Sequence, residues 1–296
     1  MAFPLTARGT ATFGLVRQDG RVVDHEELRK LGQRLCEVRG VVGVLLGGSR
    51  ARGEHTLGSD FDLGLYYRPP LDIDALEHLA RDVAGSEASV TRPGGWGPWV
   101  DGGGWLHIGG TAVDWIYRDL DRVRKSWDDA RAGRYDFHFQ IGHPLGGPDF
   151  TYIGEVALGV VLADPSGEIT ALQQAARLYP PRLRDALVAG LWEASFGIDI
   201  ARKAVSRGDT AYVAGCLFRV VEVCAHGLHG HAGHWLINEK GAVASAGRLP
   251  EAPANFADRA QGVLAHLGTT PAELSRAIAL AADLLADTTT ACQPSR

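Results

Sequence analysis

The sequence predicts an α+β protein, with a mixed β-sheet and helices in its first part and an all-α helical bundle in its second. Three observations predict it. Up to about residue 178, short apolar runs of strand length alternate with segments of helical period. Paired glycines and Asp/Ser/Gly clusters punctuate those runs as turns do. After Tyr179-Pro180-Pro181 almost every segment is rich in Ala and Leu at helical spacing. The chain is therefore expected to divide into domains 1–178 and 179–296.

The elements follow in order. Asp24 with Glu27 three residues later is a capping-box signature, and Leu28, Leu31 and Leu35 then share one helical face. Val41–Leu46 is a short apolar run ending in Gly47-Gly48, a buried strand entering a turn. Phe61–Tyr67 reads as a second strand, and Asp72 as the cap of a helix running to about Val83. Trp105–Ile108 and Ala112–Tyr117 flank Gly109-Gly110-Thr111 as a hairpin. Val156–Leu162 reads as a last strand or a helix, closed by the turn Asp164-Pro165-Ser166-Gly167. In the second part, helices are expected over roughly 182–206, 210–230, 254–267 and 271–287. Arg207-Gly208-Asp209 is a stop followed by a new start. Thr270-Pro271-Ala272-Glu273 combines an N-cap, Pro at the first helical position and a capping-box Glu.

Composition narrows the function. The chain has 296 residues, 45% hydrophobic and 22% charged, as in ordinary globular proteins. Its net charge of -5 argues against a long nucleic acid partner, which calls for a basic excess, and suits a small substrate. No apolar stretch is expected to supply the ~20 residues that span a bilayer. Met1 to Gly14 lacks the charged start and apolar run of a signal peptide. The four cysteines (Cys36, Cys216, Cys224, Cys292) form no CxxC pair and read as free thiols. A cytoplasmic location is therefore expected.

The informative stretch is Gly47-Gly48-Ser49-Arg50-Ala51-Arg52-Gly53, followed by Ser59-Asp60-Phe61-Asp62-Leu63. A strand runs out into two glycines, which let backbone approach a ligand, and Ser49 then opens a short helix. Free N–H groups, a hydroxyl and nearby arginines suit a phosphate. Arg52, three residues after Ser49, is one helical turn along and in reach of the same phosphates. Asp60 and Asp62, two apart on an expected strand, project from one face. Two carboxylates so placed repel unless a cation lies between them, and Mg2+ takes one or two carboxylates plus substrate phosphates. A phosphate cradle beside a magnesium site is the minimal equipment for phosphoryl or nucleotidyl transfer.

A GS pair followed after ten residues by DxD resembles the fingerprint of the DNA polymerase β-like nucleotidyltransferases. More narrowly, it is similar to that of the bacterial antibiotic nucleotidyltransferases, matched at Gly48, Ser49, Asp60 and Asp62. Those enzymes append a helical bundle to the catalytic domain, as this chain is expected to do. The resemblance implies ATP as donor, Mg2+ as cofactor and a small hydroxylated acceptor, with aminoglycosides, lincosamides and other metabolites open. It also implies a third carboxylate on a later strand. Asp114, an acidic residue inside the apolar run Thr111 to Tyr117, is the candidate as metal ligand or general base. An Asp at an exposed edge or in a salt bridge is the other reading. Val113, Trp115 and Tyr117 are expected on one strand face, Asp114 and Ile116 on the other. Asp119 and Asp121 read as a solvated helix start. In antibiotic adenylyltransferases a lysine in the bundle reaches the triphosphate. The resemblance implies that role for Lys240; a solvated lysine beside a turn is the alternative.

Other features carry less. Four histidines between His226 and His234 are interrupted by glycines and read as a frayed helix end. His138, Gln140 and His143 are expected on a loop between the domains, as candidates for the lining of an acceptor pocket. Trp96 and Trp99 in the Gly-rich stretch Gly94 to Gly104, and Trp105 directly after it, read either as an aromatic lid or as pins for the loop. Two other functions compete with small-molecule transfer. One is a toxin–antitoxin-type enzyme that adenylylates a partner protein, and the other a degenerate nucleotide-binding protein. The helical second part argues against the first, and the presence of both Asp60 and Asp62 against the second.

Overall fold

The computed structural model describes residues 25–53, 56 and 58–293. Asp24, the expected first cap, and the segment Met1 to Gly14 lie outside the described residues. The first elements are α1 (His25–Cys36), β1 (Val41–Leu46), α2 (Gly48–Arg52), β2 (Phe61–Tyr67), α3 (Ile73–Ala84), β3 (Gly103–Ile108), β4 (Thr111–Asp119) and α4 (Leu120–Arg131). Next come β5 (Phe137–Gln140), β6 (His143–Pro148), α5 (Thr151–Leu158), β7 (Val160–Ala163) and α6 (Glu168–Ala176). The remainder is α7 (Pro181–Ala189), α8 (Leu191–Ala204), α9 (Thr210–Ala232), α10 (Ala242–Ala246), α11 (Phe256–Ala265) and α12 (Pro271–Ala291).

The chain forms two compact units. One is built on residues up to Asp121 together with Leu158–Gln173, the other on Arg122–Ala157 and the residues from Gln174 onward. A single boundary near 178 is a coarser division than this, because the chain leaves the first unit, returns and leaves again.

The first unit is a mixed sheet in the order β3-β4-β2-β1-β7. β2 and β4 are parallel, and the other neighbours antiparallel. Alternation along the strands sends Phe61, Leu63, Leu65, Val113, Trp115, Tyr117 and Leu106 to one face, where they form a buried cluster with Leu28 and Leu35 of α1 and Leu76 and Leu79 of α3. Each large apolar side chain so buried contributes roughly 1.5–3 kcal/mol. The opposite face carries Asp62, Asp114, Trp105 and His107, none of them buried. The Gly109-Gly110 hairpin forms as expected, with φ of 58° and 79°, the positive pair that a tight two-residue turn between twisted strands requires. Asp72 caps α3 by accepting from the Ala75 N–H at 3.1 Å. The 156–162 run is divided: α5 ends at Leu158 and β7 begins at Val160, because those residues pair with β1 at the sheet edge.

The second unit holds α7 to α12 together with a β5–β6 hairpin. His138, Gln140 and His143 stand on that hairpin, with Gln140 paired to His143, and not on a loop. The helix expected over 182–206 is broken at Gly190, where the Tyr135 hydroxyl lies 2.5 Å from the place of a β-carbon. α9 is the core helix of this unit, capped by Asp209 through the Tyr212 N–H. Contrary to the sequence expectation, it is by length and composition apolar enough to cross a bilayer, with mean hydropathy 1.4. Its side chains Val213, Leu217, Val220, Val221 and Leu228 are buried in the protein core instead. α9 also corrects the reading of the histidines: it stays helical to Ala232, and His226 and His229 are buried within it. α12 begins with the expected capping box of Thr270 and Glu273. Cys36, Cys216, Cys224 and Cys292 are free thiols.

Candidate active site

β1 delivers the chain to Gly47-Gly48 beside the start of β2. The Gly47 N–H donates to the Asp62 carbonyl at 2.7 Å, which ties the loop to β2. Gly48 has φ 61°, and a β-carbon on it would run into the Asp62 carboxylate. Both facts demand glycine, and the second means that the Asp62 side chain lies directly against the loop. The one-turn helix α2 follows, with Ser49 half-buried in its first turn and Arg52 exposed at its end.

Asp62 and Asp114 are register partners across the parallel pair β2–β4, so both carboxylates leave the same sheet face side by side. Asp60 lies one residue before β2, not on the strand as expected, but close enough for its charge to reach Asp114. Burial, then Asp62, then Asp60 push the Asp114 carboxyl up to about 6, against a small opposing effect of His107. Among the described residues no group of three or more His, Cys, Asp or Glu side chains converges tightly enough to hold a metal ion unaided. The oxygen-only donor set of Asp62 and Asp114, with Asp60 adjacent, fits a hard cation that completes its shell with substrate phosphates. Asp119, which accepts from the Asp121 N–H at 2.9 Å, closes β4 and starts α4.

Arg50 was not singled out by the motif, yet it organises the site. It is only 3% exposed, and its guanidinium lies 4.0 Å from the Phe61 ring centroid. Its Nε donates to the carbonyls of Ser59 (2.9 Å) and Asp60 (3.0 Å), and its Nη2 to Ser59 as well. Arg50 thus fixes the backbone that carries Asp60 and leads into Asp62. Burial lowers the proton affinity of the guanidinium, and Asp60 and Asp62 offset part of that. The available signal was an arginine flanked by apolar Ala51 and followed by Phe61, but no spacing rule ties such an arginine to carbonyls nine and ten residues on.

Lys240 belongs to the second unit, exposed, its N–H donating to Asn238 Oδ1 at 2.8 Å. Next to it, Glu239 accepts from the Leu145 N–H at 2.7 Å and pairs with His143 at 3.5 Å, and His138 pairs with Asp149 at 2.6 Å. His138 and His143 are thus engaged with carboxylates of their own unit.

Residues 28–140 match the family model of the nucleotidyltransferase domain. No curated protein matches the chain. Among solved structures, the chain is similar to a nucleotidyltransferase-like protein from Exiguobacterium sibiricum 255-15, with 14% sequence identity and a TM-score of 0.43, over 88% of this chain and 74% of that one.

Proposed function

We propose that the chain, a nucleotidyltransferase, moves AMP from ATP to a hydroxyl of a small acceptor and releases pyrophosphate in a magnesium-dependent reaction. The observation that carries this reading is the in-register pair Asp62 and Asp114 directly beside the Gly48–Ser49 loop. Gly48 and Ser49 cradle the donor phosphates, since backbone at a glycine approaches an anion more closely than any side-chain-bearing residue allows. Arg52, on the same turn, adds a charge-assisted contact. Asp60 and Asp62 hold the cation, with Asp114 beside them. Magnesium, when bound, neutralises charge developing on the phosphates.

Asp114 acts on the acceptor. Its carboxylate, in register with Asp62 and free of any apolar face, is the group placed to take the proton of an attacking hydroxyl. The acceptor oxygen bonds to the α-phosphorus, the bond to pyrophosphate breaks, and the hydroxyl proton moves to the Asp114 carboxylate. The four free thiols support a cytoplasmic setting. An antibiotic is one acceptor class consistent with the motif.

The test is pyrophosphate release from ATP and Mg2+ over a panel of hydroxylated compounds, aminoglycosides and lincosamides included, with mass spectrometry for the adduct. Acceptor-dependent release that Asp60→Asn abolishes, in a folded variant, supports the reading. Labelling of a protein in place of a small molecule points to the toxin–antitoxin-type alternative. Tight ATP binding with no transfer to any acceptor points to a degenerate nucleotide binder.

A further inference from the structure

Trp105 extends the carboxylate row by one strand. On β3, the edge of the sheet, Trp105 is the register partner of Asp114, which in turn is the partner of Asp62. The three side chains leave one sheet face in a line, and the Gly48 loop abuts its far end at Asp62. Trp105 is 70% exposed. One face of its indole is covered: Trp96 stacks on it with ring centroids 4.5 Å apart and planes inclined by 15°. Gly103, two residues earlier, leaves the room that the Trp96 ring needs, with a ring atom 2.9 Å from where a β-carbon would stand. The loop that brings Trp96 there is tied down. The Gly94 N–H donates to Asp101 Oδ1 at 3.1 Å, the Gly103 N–H to Thr91 Oγ1 at 2.9 Å, and the Tyr67 hydroxyl to Asp101. Trp96 is thus the pin, not a lid, and the exposed area of Trp105 is its second face and its edge.

We infer that Trp105 is the platform for the acceptor, taking the apolar face of a hydroxylated ring such as a saccharide. The inference rests on the nucleotidyl-transfer reading of the site. Two reactants must meet at Asp62 and Asp114. The phosphate loop lies on the β1 side of these carboxylates and Trp105 on the opposite, β3 side. With donor phosphates at the loop, the reactant next to Trp105 is the acceptor, its hydroxyl within reach of Asp114. A rigid, backed indole offers dispersion and C–H···π contact to a ring face and little to an open-chain polyol. Exposed His107, two residues on along the same strand face, adds a hydrogen-bonding group for ring hydroxyls.

The full chain, with Mg2+ and a non-hydrolysable ATP analogue, is probed with methyl β-glucopyranoside by saturation-transfer NMR, with sorbitol as the ringless control. Analogue affinity is measured separately by calorimetry. The ring protons of the pyranoside should receive saturation and sorbitol should not. Trp105→Ala should weaken pyranoside binding about ten-fold or more and Trp105→Phe should restore most of it, as stacking contacts of this size do. Analogue affinity should change less than about two-fold, given that the donor lies on the other side. Circular dichroism checks that the variants are folded. Unchanged pyranoside binding in Trp105→Ala overturns the inference, as does a ten-fold loss of analogue affinity, which would give the ring to the donor base. A wild-type protein that binds the analogue but does not prefer the pyranoside to sorbitol overturns it too, and leaves the nucleotidyl-transfer reading standing. A wild-type protein that binds neither overturns both.

Discussion

Asp62 and Asp114 face each other in register across β2 and β4. Burial first, then the charges of Asp62 and Asp60, hold the Asp114 carboxyl at about 6 against an ordinary 3.8. A carboxyl whose folded value is raised stabilises the fold fully below its unfolded value, and that contribution is lost as pH rises through the folded value. The site therefore destabilises the metal-free protein above pH 6.

Replacing Asp114 by Asn removes that loss and the base together. In metal-free protein the variant should match the wild type near pH 4 and melt about 2 °C or more above it at pH 8. Transfer should fall by ~10²–10⁴. Scanning calorimetry at the two pH values checks the first part, and an offset independent of pH refutes the raised carboxyl.

Gly48 and Gly53 separate two reasons for glycine. Both have positive φ, 61° and 73°, but a β-carbon at Gly53 meets nothing within 4 Å whereas one at Gly48 meets the Asp62 carboxylate. Gly53→Ala should cost about 1 kcal/mol and leave transfer intact. Gly48→Ala should cost about 1–3 kcal/mol and also displace Asp62, so that transfer drops with it. Urea unfolding alongside turnover reads both, and equal behaviour of the two variants would show that the carboxylate contact is immaterial.

Arg50 is a positioning residue, and lysine is a poor substitute for it. Lysine keeps the charge but not the planar fork that spans the carbonyls of Ser59 and Asp60 while stacking on Phe61. Arg50→Lys should lower stability by about 1–3 kcal/mol and turnover by up to about 10²-fold through misplacement of Asp60. Arg52→Lys, at an exposed position, should leave stability unchanged. If Arg50→Lys loses only ATP affinity and no stability, the arginine is a phosphate contact and not a clamp.

The strands that carry the site were legible because their periodicity is local. The alternation that separates Asp114 from Val113 and Trp115 is a property of six residues, and the structure keeps it. The Gly47-Gly48 turn and the caps at Asp72, Asp209 and Thr270 are likewise local chemistry. What escaped depends on partners far along the chain. The exception is the hairpin bearing His138 and His143, which is local, with Gln140 opposite His143, but whose second strand is disguised by Pro144, Gly146 and Gly147. The row from Trp105 to Asp62 needs strand order, and the carbonyl grip of Arg50 needs Ser59 and Asp60 to stand beside α2. Glycines among the four histidines suggested fraying, but Gly227 and Gly230 are the positions where α9 lies against Leu191 and Leu187, so they mark close helix packing.

That packing buries two titratable side chains one helical turn apart on α9, with opposite consequences for pH. Burial first, then the charge of Glu239, raises Glu222 from 4.5 to about 7. Its contribution to stability is full below about 4.5 and is lost as pH rises through 7. Burial first, then His229 and Arg219, lowers His226 from 6.5 to about 3. Its contribution is full above about 6.5 and is lost as pH falls towards 3. His226 sits edge-on to Phe137 and Phe150 at 5.5 and 5.8 Å, with both ring nitrogens lacking a hydrogen-bond partner, so an aromatic ring without nitrogen fits the same slot. Glu222→Gln should equal the wild type near pH 4.5 and exceed it by up to about 3 kcal/mol at pH 8, the shift of Glu222 converted at about 1.4 kcal/mol per unit. His226→Phe should show the mirror image, with a gain over the wild type that grows as pH falls below 6. Chemical denaturation of each variant from pH 4 to 8 measures the two slopes. The assignment fails if either variant differs from the wild type by an amount that does not change with pH, since a packing effect alone has no reason to titrate.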